Sequence, residues 1–315
     1  MSHTPSGETK TAYRQRACPG CSATDPTPAL IRSHPAAEEM PFDGVMRQWD
    51  TGIRAKKGFF SYHRCKTCGQ LYCPVYPDDG QLRQLYGSMT PNMSDLPTSC
   101  LRHTQEGYLQ TLLRHHPAPG DMIEVGPDRG YLAHAVQTLS AVPPRRFWFI
   151  EPNLAVHDDL RASIAPLPCD VSVDLNRFNH IPDATAGIAF MVHVLDHLIN
   201  PLDHLRELHR CLVPGGLLGI VVHDELSMLS RLLGARHPIY CPYHPQLFNP
   251  ATLAAMLGKA GFDVVEIVPT RNYYPVHFVA RTGLSRFGMD WLPVPIPRGF
   301  VLPLKLGNIQ IIARK

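Results

Sequence analysis

No stretch of this 315-residue chain is apolar for long enough to cross a bilayer. Its longest uninterrupted apolar runs, such as Leu217–Val222, fall far short of the roughly 20 residues a span needs. The start, MSHTPSGETKTAYRQRA, has no apolar core of the kind a secretory leader carries. Charge of one sign is also scarce: 30 Lys and Arg face 27 Asp and Glu, a net of +3, and charged residues make up only 18%. That balance argues against a generic nucleic-acid or acidic-membrane binder. Residues 1–110, with 12 Lys/Arg against 10 Asp/Glu, carry only +2. Internal repeats and low-complexity tracts are missing, and so is the G-x-G-x-x-G fingerprint of a nicotinamide dehydrogenase. The expectation is a soluble, cytoplasmic chain without a membrane span.

What is present is a 44% apolar content, enough for a sizeable core, and 31 prolines, which bound helices sharply. The nine cysteines are odd in number, and four of them form two C-x-x-C pairs. In a reducing compartment that spacing indicates metal rather than disulfides. Cys18-Pro-Gly-Cys21 and Cys65-Lys-Thr-Cys68 can each aim two thiolates at one point. Together they predict a closed tetrahedral shell of Cys18, Cys21, Cys65 and Cys68 around a structural Zn²⁺. The segment looks poor in core residues, so it is expected to fold only with metal. Cys73 reads as a buried neighbour.

The texture changes along the chain. Residues 1–75 form the expected zinc-ribbon module. Residues 76–117, with helices expected around Gln81–Tyr86 and Thr104–His116, read as a helical connector or cap. From 118 to 315, short β-like runs (MIEV, FWFI, GIAFMV, LLGIVV) alternate with helical patterns, the signature of an α/β fold with a parallel sheet. Two helices are well signalled. One is capped by Asn200, opens on Pro201 and ends at Pro214-Gly215-Gly216. The other is capped by Asn249, opens on Pro250 and closes at Gly261.

The run Glu124-Val-Gly126-Pro-Asp128-Arg-Gly130 leads from a strand through a glycine turn into a helix. Such a turn lets backbone approach a ligand, and the helix start offers free N–H groups. About 20 residues on, a second strand ends in Glu151, placed to accept hydrogen bonds from two ribose hydroxyls. The pair implies a nucleoside-containing cofactor, a dinucleotide or S-adenosylmethionine.

On these residues the chain resembles class I S-adenosylmethionine-dependent methyltransferases, over nearly its whole length. The family's first motif, acid-x-Gly-x-Gly-x-Gly, is here Glu124, Gly126, Asp128 and Gly130, with Asp128 in place of the middle glycine. The segment HVLDHLINPLDHLRELHRCLVPGGLLGIVV resembles the family's fourth strand end, helix and fifth strand. HPQLFNPATLAAMLGKAGFDVVEI and LGNIQIIARK resemble its last helix and closing antiparallel strands. The resemblance implies a Rossmann-like seven-stranded sheet, S-adenosylmethionine as cofactor and Glu151 on its ribose. It implies, more weakly, Asp174 near the adenine. The order CPxC, long gap, CxxC-G, proline and tyrosine-bearing helix, met from Cys18 to Tyr86, is similar to a branch with an N-terminal zinc ribbon, many of whose members act on sugars or natural products.

A sulfonium methyl needs an aligned acceptor and, for a hydroxyl or acidic carbon, a base. His193-Val-Leu-Asp196-His197 follows the strand GIAFMV and so lies at the sheet's carboxyl edge. His197 is the expected base and Asp196 its partner, raising the ring's proton affinity, with His193 beside them. Some related RNA 2′-O-methyltransferases bind a divalent metal through a Glu-x-x-Glu-His run and a later His, which maps onto His193, Asp196, His197 and His223. The run Tyr240–Phe248 and the segment Tyr273–His277 are expected at the acceptor wall. The expected acceptor is a small molecule, a sugar or natural-product scaffold, and not nucleic acid. The alternatives are an RNA methyltransferase gripping its substrate with the ribbon, and a catalytically inactive scaffold retaining the fold.

Overall fold

A computed structural model describes residues 13–49, 57–87, 96–175 and 178–315; parts of the expected ribbon module and connector lie outside them. Seven strands form the main sheet: β1 (Asp121–Val125), β2 (Phe147–Ile150), β3 (Cys169–Ser172), β4 (Ala186–Val192), β5 (Leu212–His223), β6 (Asp263–Pro269) and β7 (Asn308–Arg314). Their spatial order is β6-β7-β5-β4-β1-β2-β3. Pairing is parallel from β3 to β5, and β7 runs antiparallel to both β5 and β6. This is a Rossmann-like mixed sheet, and the four apolar runs read from sequence are β1, β2, β4 and β5.

The strand period of two sorts side chains between two cores. Ile123, Trp148, Ile150, Ala189, Met191 and Ile220 pack on one face of the sheet. Met122, Phe147, Phe149, Ile188, Phe190 and Val221 pack on the other. Burial on both faces is why these strands read as near-continuous apolar runs rather than alternating ones. Helices cover both sides: α1 (Thr98–Leu113), α2 (Tyr131–Leu139), α3 (His157–Ile164), α4 (Pro201–Cys211) and α5 (Pro250–Lys259).

Two of the expected helix caps have different outcomes. Asn249 accepts from the amides of Ala251 and Thr252 and forms a capping box with Thr252. Asn200 makes no side-chain cap, and its carbonyl instead meets His204 Nδ1 at 2.9 Å. The connector expectation also changes. Helix Asp79–Gly87 lies near the predicted Gln81–Tyr86, but α1 is no mere connector. Its Tyr108, Leu109 and Leu112 are buried in the same core as Leu132 and Val136 of α2.

The N-terminal module corrects a further expectation. It is not poor in core residues. Val45, Trp49, Phe60, Tyr62, Leu71, Tyr76 and Leu85 are buried together, and Ile239, Tyr240, Tyr243 and Leu247 from the far half of the chain complete the cluster. Aromatic residues at irregular spacing escape a search for periodicity, yet they bury large areas. The joint is also hydrogen-bonded. Gln246–Leu247 adds a strand to Leu71–Tyr72, which pairs in turn with His63–Arg64. The Tyr62 hydroxyl donates to the His244 carbonyl at 2.7 Å. Arg64 makes a bidentate pair with Glu225 (2.9 and 3.0 Å), whose Oε1 also accepts from Asn249. Among the described residues no helix is long and apolar enough to cross a membrane.

Candidate active site

The order of strands reverses between β1 and β4, and ligands of open α/β sheets bind at the carboxyl end of such a switch point. Two loops meet there. The loop after β1 carries Gly126, at φ +67; a Cβ on it would lie 2.5 Å from Val194 Cγ2 in the loop after β4. Gly130, at φ +72, caps α2, and a Cβ there would strike Ser163 and Leu160 of α3. Asp128 adopts φ +50. The turn therefore demands the left-handed conformation at this position too, and Asp is among the few side chains that tolerate it.

Glu151 follows β2 directly. Its Oε2 accepts from the Asp128 amide at 3.0 Å and its Oε1 from the Asn153 amide at 2.8 Å, which fixes the carboxylate beside the glycine turn. Each oxygen keeps a lone pair for a ligand hydroxyl. Glu124 is almost fully buried, and its Oε2 has no hydrogen-bond partner. Burial, and then the charges of Glu151 and Asp128, push its carboxyl up to about 8. The same two causes, burial and Glu151, lift Asp128 to about 6. Asp174 sits two residues past β3 with its amide 3.3 Å from Ser172 Oγ. A buried carboxylate oxygen without a partner on Glu124, and the Glu151 carboxylate held beside the turn by two backbone amides, fit S-adenosylmethionine, whose amine and sulfonium are cationic and whose ribose carries hydroxyls.

The second loop begins at His193, which takes φ +54, and turns through Val194–His197. It is pinned from outside: Gln246 Nε2 donates to the Leu195 and Leu198 carbonyls at 3.1 and 2.6 Å. Arg16, two residues before Cys18, donates to the Ile199 carbonyl and to Gln246 Oε1 at 2.8 and 3.1 Å. Neither role is written in a local motif: Arg16 meets Ile199 across 183 residues, and Gln246, within the run Tyr240–Phe248, meets Leu195 across 51.

Asp196 is fully buried, and neither of its carboxylate oxygens has a side-chain hydrogen-bond partner; only the backbone amides of Asp196 and His223 approach the carboxylate. It makes no hydrogen bond to His197; its closest ion-pair contact is His244 Nε2, at 4.0 Å. Four imidazoles crowd the place: the His193 and His223 rings are 4.6 Å apart, His197 and His244 4.7 Å, His223 and His244 5.3 Å. His197 stacks on Tyr243 at 5.5 Å. The expected rise in the proton affinity of His197 is reversed. Burial, and then His244, His223 and His193, hold it well below the ordinary value. Burial likewise pushes His223 and His244 down to about 4, and it raises Asp196. His244 carries no motif signal, because it lies 47 residues beyond His197; the run Tyr240–Phe248 to which it belongs brings the Tyr243 and His244 rings against that of His197. The Tyr273 ring lies 5.5 Å from that of His103.

The C-x-x-C turns converge as expected. Cys18 and Cys68 sulfurs are 3.5 Å apart, Cys21 and Cys65 sulfurs 3.4 Å, and all four lie within 4.8 Å of one another. A tetrahedral shell with Zn–S of about 2.3 Å separates its sulfurs by roughly 3.8 Å, so this donor set fits zinc.

Comparison with known proteins agrees with this geometry. Residues 101–267, just over half the chain, match the family described as a methyltransferase domain. The trans-aconitate 2-methyltransferase of Rhodopseudomonas palustris (strain BisA53) is 27% identical over 152 residues, 47% of this chain and 59% of that one. The tRNA U34 carboxymethyltransferase of Vibrio cholerae is 29% identical over 164 residues, 47% of this chain and 46% of its own. The chain thus spans about half the length of the curated relatives it matches. A chain from the complex between the Haloferax volcanii Trm112 methyltransferase activator and a methyltransferase superposes with a TM-score of 0.50 at 15% identity, over 69% of this chain and 91% of that one. At that identity the likeness is one of fold.

Proposed function

This chain belongs to the methyltransferase-domain family, and from that premise we propose that it transfers the methyl group of S-adenosylmethionine to a small-molecule acceptor, a sugar or natural-product scaffold. The observation that carries this reading is the direct meeting of two loops at the sheet's switch point, Gly126 against Val194. It sets the carboxylates Glu124, Asp128 and Glu151 on one side and the histidines of the β4 loop on the other. When bound, the donor supplies a methyl on a cationic sulfur, already electrophilic, so alignment and proton removal remain for the protein.

Glu151 would hold the ribose hydroxyls, and Glu124 with Asp128 would offer negative charge to the cationic donor. Asp174, just past β3, would border the adenine. His197 takes the acceptor's proton, stacked on Tyr243, which with Tyr240 walls the acceptor space. A zinc ion held by Cys18, Cys21, Cys65 and Cys68 is structural, since four thiolates leave no open position. Such an ion would hold in place the segment from which Arg16 reaches the active loop. The balanced charge of the chain supports a small molecule over RNA.

The test is mass spectrometry of a panel of nucleotide sugars and hydroxylated natural products incubated with the donor, with bulk tRNA as a separate arm. A product heavier by one methyl group is expected from the small molecules. His197→Asn should cut its formation about 10²–10⁴-fold with donor affinity nearly unchanged. Methylation of the tRNA alone would overturn the choice of acceptor, and full turnover by the variant would remove His197 from the mechanism.

A further inference from the structure

We propose that His193, Asp196 and His223 form a divalent-cation site, separate from the four thiolates, and that the ion recruits an acceptor hydroxyl. The role of the ion rests on the methyltransferase reading above; the site itself does not.

Three observations carry it. The first is Asp196, with no exposed surface and no side-chain hydrogen bond to either oxygen; only the backbone amides of Asp196 and His223 approach the carboxylate. A carboxylate taken out of water without partners costs several kcal/mol, and bound cations are a common way of compensating it. The second is the state of the surrounding rings. His223 Nδ1 lies 2.8 Å from Asn308 Oδ1, its cross-strand partner on β7. His244 Nδ1 lies 2.8 Å from the Ile239 carbonyl, which can only accept, so that nitrogen bears the proton. Tying one ring N–H to an oxygen leaves the other nitrogen as a lone pair, the arrangement that outer partners impose on metal-binding histidines. His193 Nδ1 has no partner at all. The third is spacing. One ligand atom from each of His193, Asp196 and His223 lies within 4.8 Å of the others. Two ligands at about 2.0–2.2 Å from an ion span roughly 4 Å across it, so a small contraction closes the shell.

His193 and His223 sit at the ends of adjacent strands, β4 and β5, which makes the pair rigid. His193 also keeps an uncommon φ of +54, and a left-handed non-glycine residue at a strand end is a frequent mark of a functional loop. Two imidazoles and one carboxylate leave coordination positions open, and the set suits Zn²⁺, Fe²⁺ or Co²⁺ rather than Mg²⁺. His197 and His244 gather on another side of the same carboxylate. The ion lowers the pKa of the acceptor hydroxyl. The proton passes to the His197 imidazole, the oxygen lone pair forms the new C–O bond, and the C–S bond breaks with its electrons left on sulfur as a neutral thioether. The acceptor class is then a hydroxyl compound able to bind a metal.

The experiment strips the protein of metal and titrates it with Co²⁺ alone. Thiolate ligation gives intense near-ultraviolet charge-transfer absorption, whereas imidazole and carboxylate give only weak visible bands. Two equivalents per chain are expected, one of each type. Asp196→Asn and His223→Gln should abolish the weak-band equivalent and spare the thiolate one. Asn308→Ala should weaken that equivalent about 10–100-fold without touching the ring's own nitrogen. Binding of S-adenosylhomocysteine, followed by calorimetry, should be unchanged throughout and reports that the variants are folded. One equivalent per chain, all of it thiolate-bound, overturns the site, as does a second equivalent indifferent to both ligand variants. A wild-type chain that takes the second equivalent but binds no donor product upholds the site and overturns the methyltransferase reading instead.

Discussion

Replacing Glu124 by Gln should make the protein more stable at alkaline pH and alter how it takes up its donor. The carboxyl of Glu124 is raised from 4.5 to about 8, by burial first and then by Glu151 and Asp128. A group whose proton is held more tightly in the folded chain favours folding below about pH 4.5 and loses that advantage as pH rises towards 8. Each pH unit is worth about 1.36 kcal/mol, so the folded chain forfeits up to about 5 kcal/mol by pH 8. Because three carboxylates titrate together, the amount assignable to Glu124 alone is about 2–5 kcal/mol. Glutamine keeps the shape and never ionises. The variant's melting temperature should therefore exceed the parent's by roughly 5 °C or more at pH 8.5, where 1 kcal/mol is about 2–4 °C for a domain of this size. At pH 5 the two should nearly coincide. A cationic donor reverses the preference, since it favours the ionised carboxylate. Calorimetry at pH 7 in buffers of differing ionisation enthalpy should show close to one proton released per S-adenosylmethionine bound by the parent, and almost none by the variant. Equal melting differences at both pH values, with no proton release by the parent, would refute the placement of Glu124 against the donor's charge.

Three further outcomes follow from the same geometry. Glu151→Ala removes the acceptor of two backbone amides and of the ribose hydroxyls; at about 1.5–3 kcal/mol per charged hydrogen bond, less compensation by water, donor affinity should fall by roughly 30-fold to 1,000-fold in a binding titration. Cys65→Ser should release the thiolate-bound zinc, seen by elemental analysis, and make the segment around Cys18 and Cys68 sensitive to protease. Full zinc content with both C-x-x-C pairs replaced would disprove that site. Glu225→Gln should destabilise the chain by about 2–4 kcal/mol in urea unfolding, because the charge and one of the two acceptor oxygens are withdrawn from Arg64 while the amide oxygen that remains still accepts from Asn249, with part of the loss recovered by water at the partly exposed guanidinium. A change under about 0.5 kcal/mol would mean the clamp contributes little.

The sheet was legible because its strands are buried on both faces and announce themselves as short apolar blocks between helices. Glu124, Gly126, Gly130 and Glu151 were legible because a strand, a left-handed turn and a helix start leave a local signature. The two C-x-x-C turns were legible by spacing alone. What escaped was whatever depends on distant segments meeting. His244 reaches Asp196 only because the Tyr240–Phe248 segment folds back onto the N-terminal module. Asn308 sets the His223 ring only through strand pairing, and Gln246 holds the active loop through backbone carbonyls, which any sequence has. The His197 ring was expected to gain proton affinity from a neighbouring acid; the density of imidazoles and the depth of burial, neither visible in a linear motif, reversed the sign.

The strand Gln246–Leu247 has a consequence for how the protein is made. The aromatic side chains of the N-terminal module are all synthesised by Tyr86, yet Ile239, Tyr240, Tyr243 and Leu247, which complete their cluster, come roughly 160 residues later. At roughly 5–20 residues per second, the ribosome leaves that surface without its cover for something like 8–30 s. The four cysteines, by contrast, are complete at residue 68. An ion taken up by those thiolates would therefore precede closure and would hold the early segment together while its hydrophobic face waits for the rest of the chain. An N-terminal fragment ending near residue 95 should accordingly bind zinc but aggregate, and it should become soluble when a peptide covering residues 237–249 is supplied in trans.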